Sequence, residues 1–367
     1  MPFVISTFNH HGNTDMTSLT KTGRATFCWA LIVAVTAPVT VHSAGKGGGK
    51  PGGGDDPNTN YAIAFVANDA IHLTTIDGSQ TQQLTAPKRK AGDSSPTWSP
   101  DLDPDTEGDQ RLIAYLHRPD TDWIGADLMI MEPDGSNQRI VQSFPLTGDP
   151  LDPKPYDTNA GKTTLAWSPN GREIVFSASG SRLIAVDIAT GNWRVLLQTG
   201  IDMNDPAISP LNVLSFVSQG DVFAVDFELD AAGLMQLEDS SLINLTRDGF
   251  EFDDRHATWS PDGTFLAVVR WVDSTDGSLR ELVVLDILLG GETVLWSGSI
   301  FEGVHGEPTW SPDGKQIAVE FVERRNSGVI VDLVRVTNWN DPQTRSILSI
   351  TQTNGTQEYE PAWNPGE

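Results

Sequence analysis

One short segment recurs along this chain and constrains it more than any other feature. Thr97-Trp98-Ser99-Pro100-Asp101 returns as Ala166-Trp167-Ser168-Pro169-Asn170-Gly171, Thr258-Trp259-Ser260-Pro261-Asp262-Gly263 and Thr309-Trp310-Ser311-Pro312-Asp313-Gly314. It closes the sequence as Ala362-Trp363-Asn364-Pro365-Gly366, and a weaker copy, Ala207-Ile208-Ser209-Pro210, carries Ile in the Trp place. Successive Trp positions lie 41 to 69 residues apart. One unit of this size cannot bury its own apolar face, so copies must pack against one another. A four-stranded propeller blade takes about 40–50 residues.

The segments between the copies repeat too. An apolar strand comes first, as in Leu112–Tyr115, Ile174–Phe176, Val213–Phe216, Leu266–Val269 and Ile317–Val319. A second comes at Leu128–Met131, Leu183–Val186, Val222–Val225 and Leu282–Leu285, then a polar turn and a further strand, as at Trp193–Leu197. In the Pro-Asp-Gly turn, Pro sets φ at the first corner and Gly takes the positive φ that other residues resist. No long amphipathic helical pattern appears after residue 60, so the expected class is all-β. Residues 61–86 read as a blade lacking its first strand, which the strand ending at Trp363 can supply. Such a clasp joins the two ends of the domain, removes an exposed sheet edge and completes six blades. The five repeat tryptophans then read as packing residues between blades.

The pattern Pro-x-Trp-Ser-Pro-Asp-Gly, succeeded by an apolar strand and an Asp-x-x-Thr-Gly turn, resembles the TolB-like (WD-type, WD40-like) six-bladed propeller repeats. Pro96–Asp101, Pro308–Gly314 and Pro361–Pro365 match it most closely, and the likeness covers residues 61–367. It implies the propeller alone, without the α/β domain that precedes the propeller in TolB. Propeller-linked peptidases carry an α/β-hydrolase domain, and no G-x-S-x-G elbow is found here. Some sugar-acid lyases on this type of propeller use a His-based metal site.

Residues 1–44 contain Lys21 and Arg24, an apolar run from Ala25 to Val41 and the small-residue end Ser43-Ala44. This is the pattern of a cleaved secretory signal, short for a span of about 20 residues, with an uncleaved anchor the alternative reading and Met16 an alternative start. Residues 45–60, rich in Gly, read as a linker. The single cysteine, Cys28, falls inside the apolar run, so the exported chain has no thiol chemistry and no disulfide. A periplasmic or secreted monomer is expected.

The chain carries 24 Lys+Arg against 49 Asp+Glu, a net charge of -25. That excludes a nucleic-acid footprint, which needs a basic surface. Removing residues 1–44 takes away only Lys21, Arg24 and Asp15, so the acidity belongs to the folded part.

The connections entering the Trp strands should ring one mouth of the central channel. They carry Asp93; Asp157; Asp202 and Asp205; Glu251, Asp253, Asp254 and His256; His305 and Glu307; Glu358 and Glu360. Gathered around a narrow opening, these acids would focus negative potential and attract a basic peptide or a divalent cation. Trp123 and Trp271 lie outside the repeat position and are candidate contact residues. So is the long connection 116–126, and 144–163 is a second long loop. The first expectation is an exported, non-catalytic binding or scaffold propeller that takes an envelope-associated protein or peptide at an acidic channel mouth. The alternative is a metal-assisted enzyme of lyase or hydrolase type acting on a saccharide. His256 and His305 would hold its metal with Glu307 or Asp254, and Arg255, Arg324 and Arg325 are the cations available to an anionic substrate. The sequence fixes no cofactor; a divalent cation is the one these residues could hold.

Overall fold

The computed structural model describes residues 61–88, 91–102, 111–119, 126–144, 164–178, 181–246, 252–272, 279–299, 302–325, 328–351 and 356–366. Residues 1–60, where a signal and a linker are expected, and Trp123, Asp157 and Glu251 lie outside the described residues.

Among the described residues the strands form six antiparallel sheets, the blades of a β-propeller. Blade 1 comprises Gly92–Trp98, Ile113–Arg118, Ala126–Met131 and Arg139–Phe144, and blade 2 comprises Ala166–Trp167, Glu173–Ala178, Arg182–Asp187 and Trp193–Gln198. Blade 3 runs Asn204–Ile208, Val213–Ser218 and Asp221–Leu229. Its outer edge is broken, because Met235–Leu237 and Ile243–Asn244 both pair with Asp221–Leu229. Blade 4 comprises Phe252–Trp259, Phe265–Val272, Leu279–Asp286 and Gly291–Ser299. Blade 5 breaks its inner strand instead, since Gly303–Val304 and Thr309–Trp310 both pair with Gln316–Arg325; Gly328–Thr337 and Ser346–Ser349 complete it. Blade 6 is the clasp. Glu358–Trp363 pairs antiparallel with Ile63–Ala67, with Ile63 opposite Trp363, and Ala70–Thr74 and Thr81–Gln83 complete the sheet. The single helical turn described is the 3-10 turn Asp239–Ser241.

The strands alternate between blade-to-blade packing faces, so each blade buries apolar residues on both sides. Ile113, Leu128, Ile174, Leu183, Leu266 and Ile317 are all essentially inaccessible to solvent. The repeat tryptophans do more than fill this space. The Trp98 indole donates to the Ala362 carbonyl (3.2 Å), Trp167 to Thr97 (3.4 Å) and Trp310 to Thr258 (3.1 Å). Each acceptor is the residue just before the Trp position of the preceding blade. Trp259 faces blade 3, where Ile208 replaces Trp, and donates to Ser215 Oγ at 2.9 Å. Ser215 in turn donates to the Ala207 carbonyl, so the hydroxyl relays the same connection. The Pro-Asp-Gly turns close as the sequence predicts. In Ser260–Phe265, Gly263 takes φ +72°, Ser260 Oγ donates to Asp262 Oδ1 and the Phe265 amide donates back to Ser260 Oγ.

Candidate functional site

The inner strands of five blades carry a second periodic feature, three residues before the Trp position, with Thr164 of blade 2 the exception. Ser95, Asp205, His256, Glu307 and Glu360 all sit in the left-handed region, with φ between 42° and 56°. L-residues avoid this region, and each such residue costs stability unless its surroundings hold it there. Strand pairing slips at the same points, between Ser94 and Thr97, Asn204 and Ala207, and Arg255 and Thr258. The bulge releases the backbone N–H from its own sheet. The Ser95 N–H donates to Glu360 Oε2 (2.5 Å), the His256 N–H to Asp205 Oδ2 (3.1 Å) and the Glu360 N–H to Glu320 Oε1 (2.7 Å), each across a blade boundary. Two acids of the expected ring, Asp205 and Glu360, are therefore buried acceptors that lace neighbouring blades.

Two residues further out, an acid or base on the inner strand faces its opposite on the second strand. Asp93 Oδ1 meets His117 Nδ1 at 2.6 Å, and Asp254 forms a two-pronged pair with Arg270 at 2.7 and 3.2 Å. In blade 5 the polarity is inverted, with His305 Nδ1 3.2 Å from Glu320 Oε2. Asp254 is wholly buried and Arg270 nearly so; removing one member of such a pair leaves an uncompensated buried charge. The hydrogen bond to Asp93 pushes the His117 pKa above its ordinary value, against the effect of burial, and the charges of Asp93 and Asp127 add to the rise.

On this face a cavity of about 820 Å³ opens among blades 4, 5, 6 and 1. Its walls include Asn68, Asp69, Asp93, Arg118, His256, Trp271, Arg280, His305, Glu307 and Glu320. The turn residues Asn68 and Asp69 join the entering connections here, as the alternation of strands predicts. A second space of about 570 Å³ runs along the inner strands of all six blades, and His256 and Glu307 line both.

Of the residues singled out in the sequence, Asp93, His256, Trp271, His305 and Glu307 share the first cavity. Asp202, Asp205, Asp253, Asp254, Glu358 and Glu360 do not line it. Asp202 is exposed and accepts from Ser181 Oγ, Asp253 holds Arg255, and Glu358 is buried. Among the described residues no three His, Cys, Asp or Glu side chains come together as a metal-ligating group.

Trp271 is held in a stack. Asp253, Trp271 and Arg280 lie directly opposite one another on adjacent strands of blade 4. The Arg255 guanidinium covers one side of the indole at 4.1 Å from the ring centroid and Arg280 covers it at 4.3 Å. Both are cation–π contacts. Asp253 neutralises Arg255 at 2.6 Å, whereas Arg280 donates to the neutral His305 carbonyl at 3.0 Å. Burial, and then the charge of Arg255, lower the Arg280 pKa, while Glu320 acts in the other direction. Arg118 falls within the long connection 116–126 that the sequence marks as a candidate contact, whereas Arg280 was not legible as a site residue, because only the cross-strand register brings it to the cavity wall.

The six sheets and the clasp define a six-bladed β-propeller. Among solved structures the chain is similar to TolB from Acinetobacter baumannii, with 20% identity and a TM-score of 0.58 over 83% of this chain and 66% of that one. It thus spans just under two thirds of that protein's length. It is also similar to a TolB-like structure from Agrobacterium tumefaciens, with 13% identity and a TM-score of 0.52 over 84% of this chain and 100% of that one. An oligogalacturonate lyase in complex with manganese aligns at 16% identity and a TM-score of 0.46, over 74% of this chain and 68% of the lyase. No family model and no curated protein sequence matches the chain. At these identities the likeness concerns fold, and function has to be argued from the site.

Proposed function

We propose that this chain is an exported, non-catalytic binding propeller that takes a segment of a partner protein or peptide in the cavity formed by blades 4, 5, 6 and 1. The observation that carries this reading is the cavity itself. Its volume of about 820 Å³ falls within the range of about 300–1,000 Å³ typical of ligand sites. Four blades line it with a mixture of Trp271, Tyr359, arginines, histidines and acids, the mixture that fixes a polar chain in one orientation. Two sets of groups that could move a proton there are tied into cross-strand pairs, Asp93 with His117 and His305 with Glu320, which favours holding a ligand over transforming it. The basic and apolar pattern of residues 1–44 supports export, and no described helix is long and apolar enough to cross a membrane.

The test is site-specific photo-crosslinking in envelope extract. The crosslinking residue is placed at Asn68, an exposed residue on the cavity wall, or at Leu211, 60% exposed in the turn after the blade 3 inner strand on the opposite face. A discrete protein adduct from Asn68 and none from Leu211 is expected. Equal adducts from both positions, or none from Asn68, would remove the proposal.

A further inference from the structure

The chain is strongly acidic, yet the charges left uncommitted in its cavity are mostly cationic. Four acids line the wall, Asp69, Asp93, Glu307 and Glu320. Asp93 is bound to His117, Glu320 serves both the Glu360 N–H and His305, and Glu307 is not without a partner. Asp69 is exposed at a turn. Against it stand Arg118 and Arg280. Arg118 has no ion-pair or hydrogen-bond partner among the described residues, and its Nε is buried with no acceptor. Arg280 has one neutral carbonyl partner, and its Nε is likewise buried with no acceptor. Acids outnumber Lys and Arg by 49 to 24, so two cavity arginines with no carboxylate at hydrogen-bonding distance are not explained by a shortage of acids.

Their placement is built by the sheets. Arg118 lies opposite Gly92 in blade 1, the place that Trp271 takes opposite Asp253 in blade 4. Arg280 stands on the next strand, opposite Trp271, and is stacked on the indole. Blades 1 and 4 are three apart in a ring of six, so the two guanidinium groups belong to opposing walls. A chain bearing spaced carboxylates can present one to each wall. The planar guanidinium fork matches a carboxylate in two parallel hydrogen bonds. The remaining acids of the chain act at longer range, where salt screens charges beyond about 8–10 Å.

We infer that the cavity recognises an acidic peptide segment whose carboxylates engage Arg118 and Arg280, an assignment that rests on the binding reading above and specifies its ligand. The test is isothermal titration calorimetry on the chain and its Arg118→Gln, Arg280→Gln, Arg118→Lys and Arg280→Lys variants. The probes are hepta-glutamate, hepta-glutamine, hepta-lysine and glutarate. Hepta-glutamate should bind, roughly tenfold or more weakly to each Gln variant, with the Lys variants between. The Lys variants, checked by thermal melting, keep the test decisive if a Gln variant does not fold. Tighter binding of hepta-lysine, or binding of hepta-glutamate that ignores both arginines, would overturn the inference. Hepta-glutamine binding as well as hepta-glutamate would leave the peptide-binding reading standing and remove its acidic specificity. Glutarate binding as tightly as hepta-glutamate, with the same dependence on arginine, would keep the carboxylate chemistry and remove the peptide. Failure of all four probes would remove both.

Discussion

Glu360, in the last strand of the chain, accepts the backbone N–H of Ser95 in blade 1 at 2.5 Å, across 265 residues of sequence. Both residues hold left-handed backbone, φ 56° and 55°, and both are buried. The clasp is therefore fastened on two sides, to Ile63–Ala67 within its own blade and to the bulge of the next.

Replacing Glu360 by Gln keeps the shape and removes the charge that strengthens this bond. A loss of about 1–2 kcal/mol is expected, and Glu360→Ala should lose about 2–3 kcal/mol because the Ser95 N–H is then left buried without its acceptor. Urea denaturation of the two variants measures this as a lowered midpoint. An unchanged midpoint for Glu360→Ala would show that the ring closes without this bond.

The hydroxyl of Ser215 stands in for a backbone acceptor where Ile208 breaks the tryptophan series. Ser215→Ala should cost about 1–2 kcal/mol through the unsatisfied Trp259 indole. A double-mutant cycle with Trp259→Phe should return a coupling energy of about 1 kcal/mol. Additive effects would mean that the relay contributes nothing beyond packing.

The pH dependence of stability should show the Asp93–His117 pair. His117 has a folded-state pKa above its ordinary 6.5, chiefly through its bond to Asp93. A raised histidine pKa means that the folded state holds the proton more tightly than the unfolded one. Its contribution is complete below pH 6.5 and is lost as pH rises through the folded value. His72 acts in the opposite sense. Burial lowers its pKa against the Ala70 carbonyl bond, so its contribution is present above pH 6.5 and fades as pH falls through the folded value. His117→Gln should flatten the decline above pH 6.5 and leave the decline on the acid side. Melting temperatures across roughly pH 5–9 check this, and an unaltered alkaline limb would refute it.

Two glycines separate backbone strain from crowding. Gly290 has φ +74° and open space where a side chain would project, whereas a Cβ on Gly78, φ +67°, would lie 1.5 Å from the Ile350 carbonyl oxygen. Gly290→Ala should cost only the left-handed backbone preference, about 1–2 kcal/mol. Gly78→Ala should cost clearly more, because the contact between blades 6 and 5 must open. Equal midpoints in guanidinium for the two variants would contradict the close approach of these blades.

The repeat made the blades legible because packing between sheets needs the same large residue at the same place every time. Ser-Pro-Asp-Gly marked the turns, since few other residues satisfy their dihedral angles, and the orphan strand at Trp363 marked the clasp. The bulge three residues before the Trp position in five of the blades is not legible for the opposite reason. Its residues are Ser95, Asp205, His256, Glu307 and Glu360, which share a backbone conformation but no side-chain chemistry. The acids around the channel were visible as a group, but their fates were not. Partners 15 to 24 residues away in sequence decide whether Asp93, Asp254 or His305 is paired, and only cross-strand register makes those partners neighbours.

The amino-acid sequence is thus sufficient for the class of fold, the number of blades and the way the two ends meet, because these arise from local periodicity and from the need to cover every sheet edge. Which charges face the cavity uncommitted is settled only in three dimensions. That depends on how opposing strands pair off acids with bases before any ligand arrives, and it turned a rim that reads as acidic into a wall carrying Arg118 and Arg280.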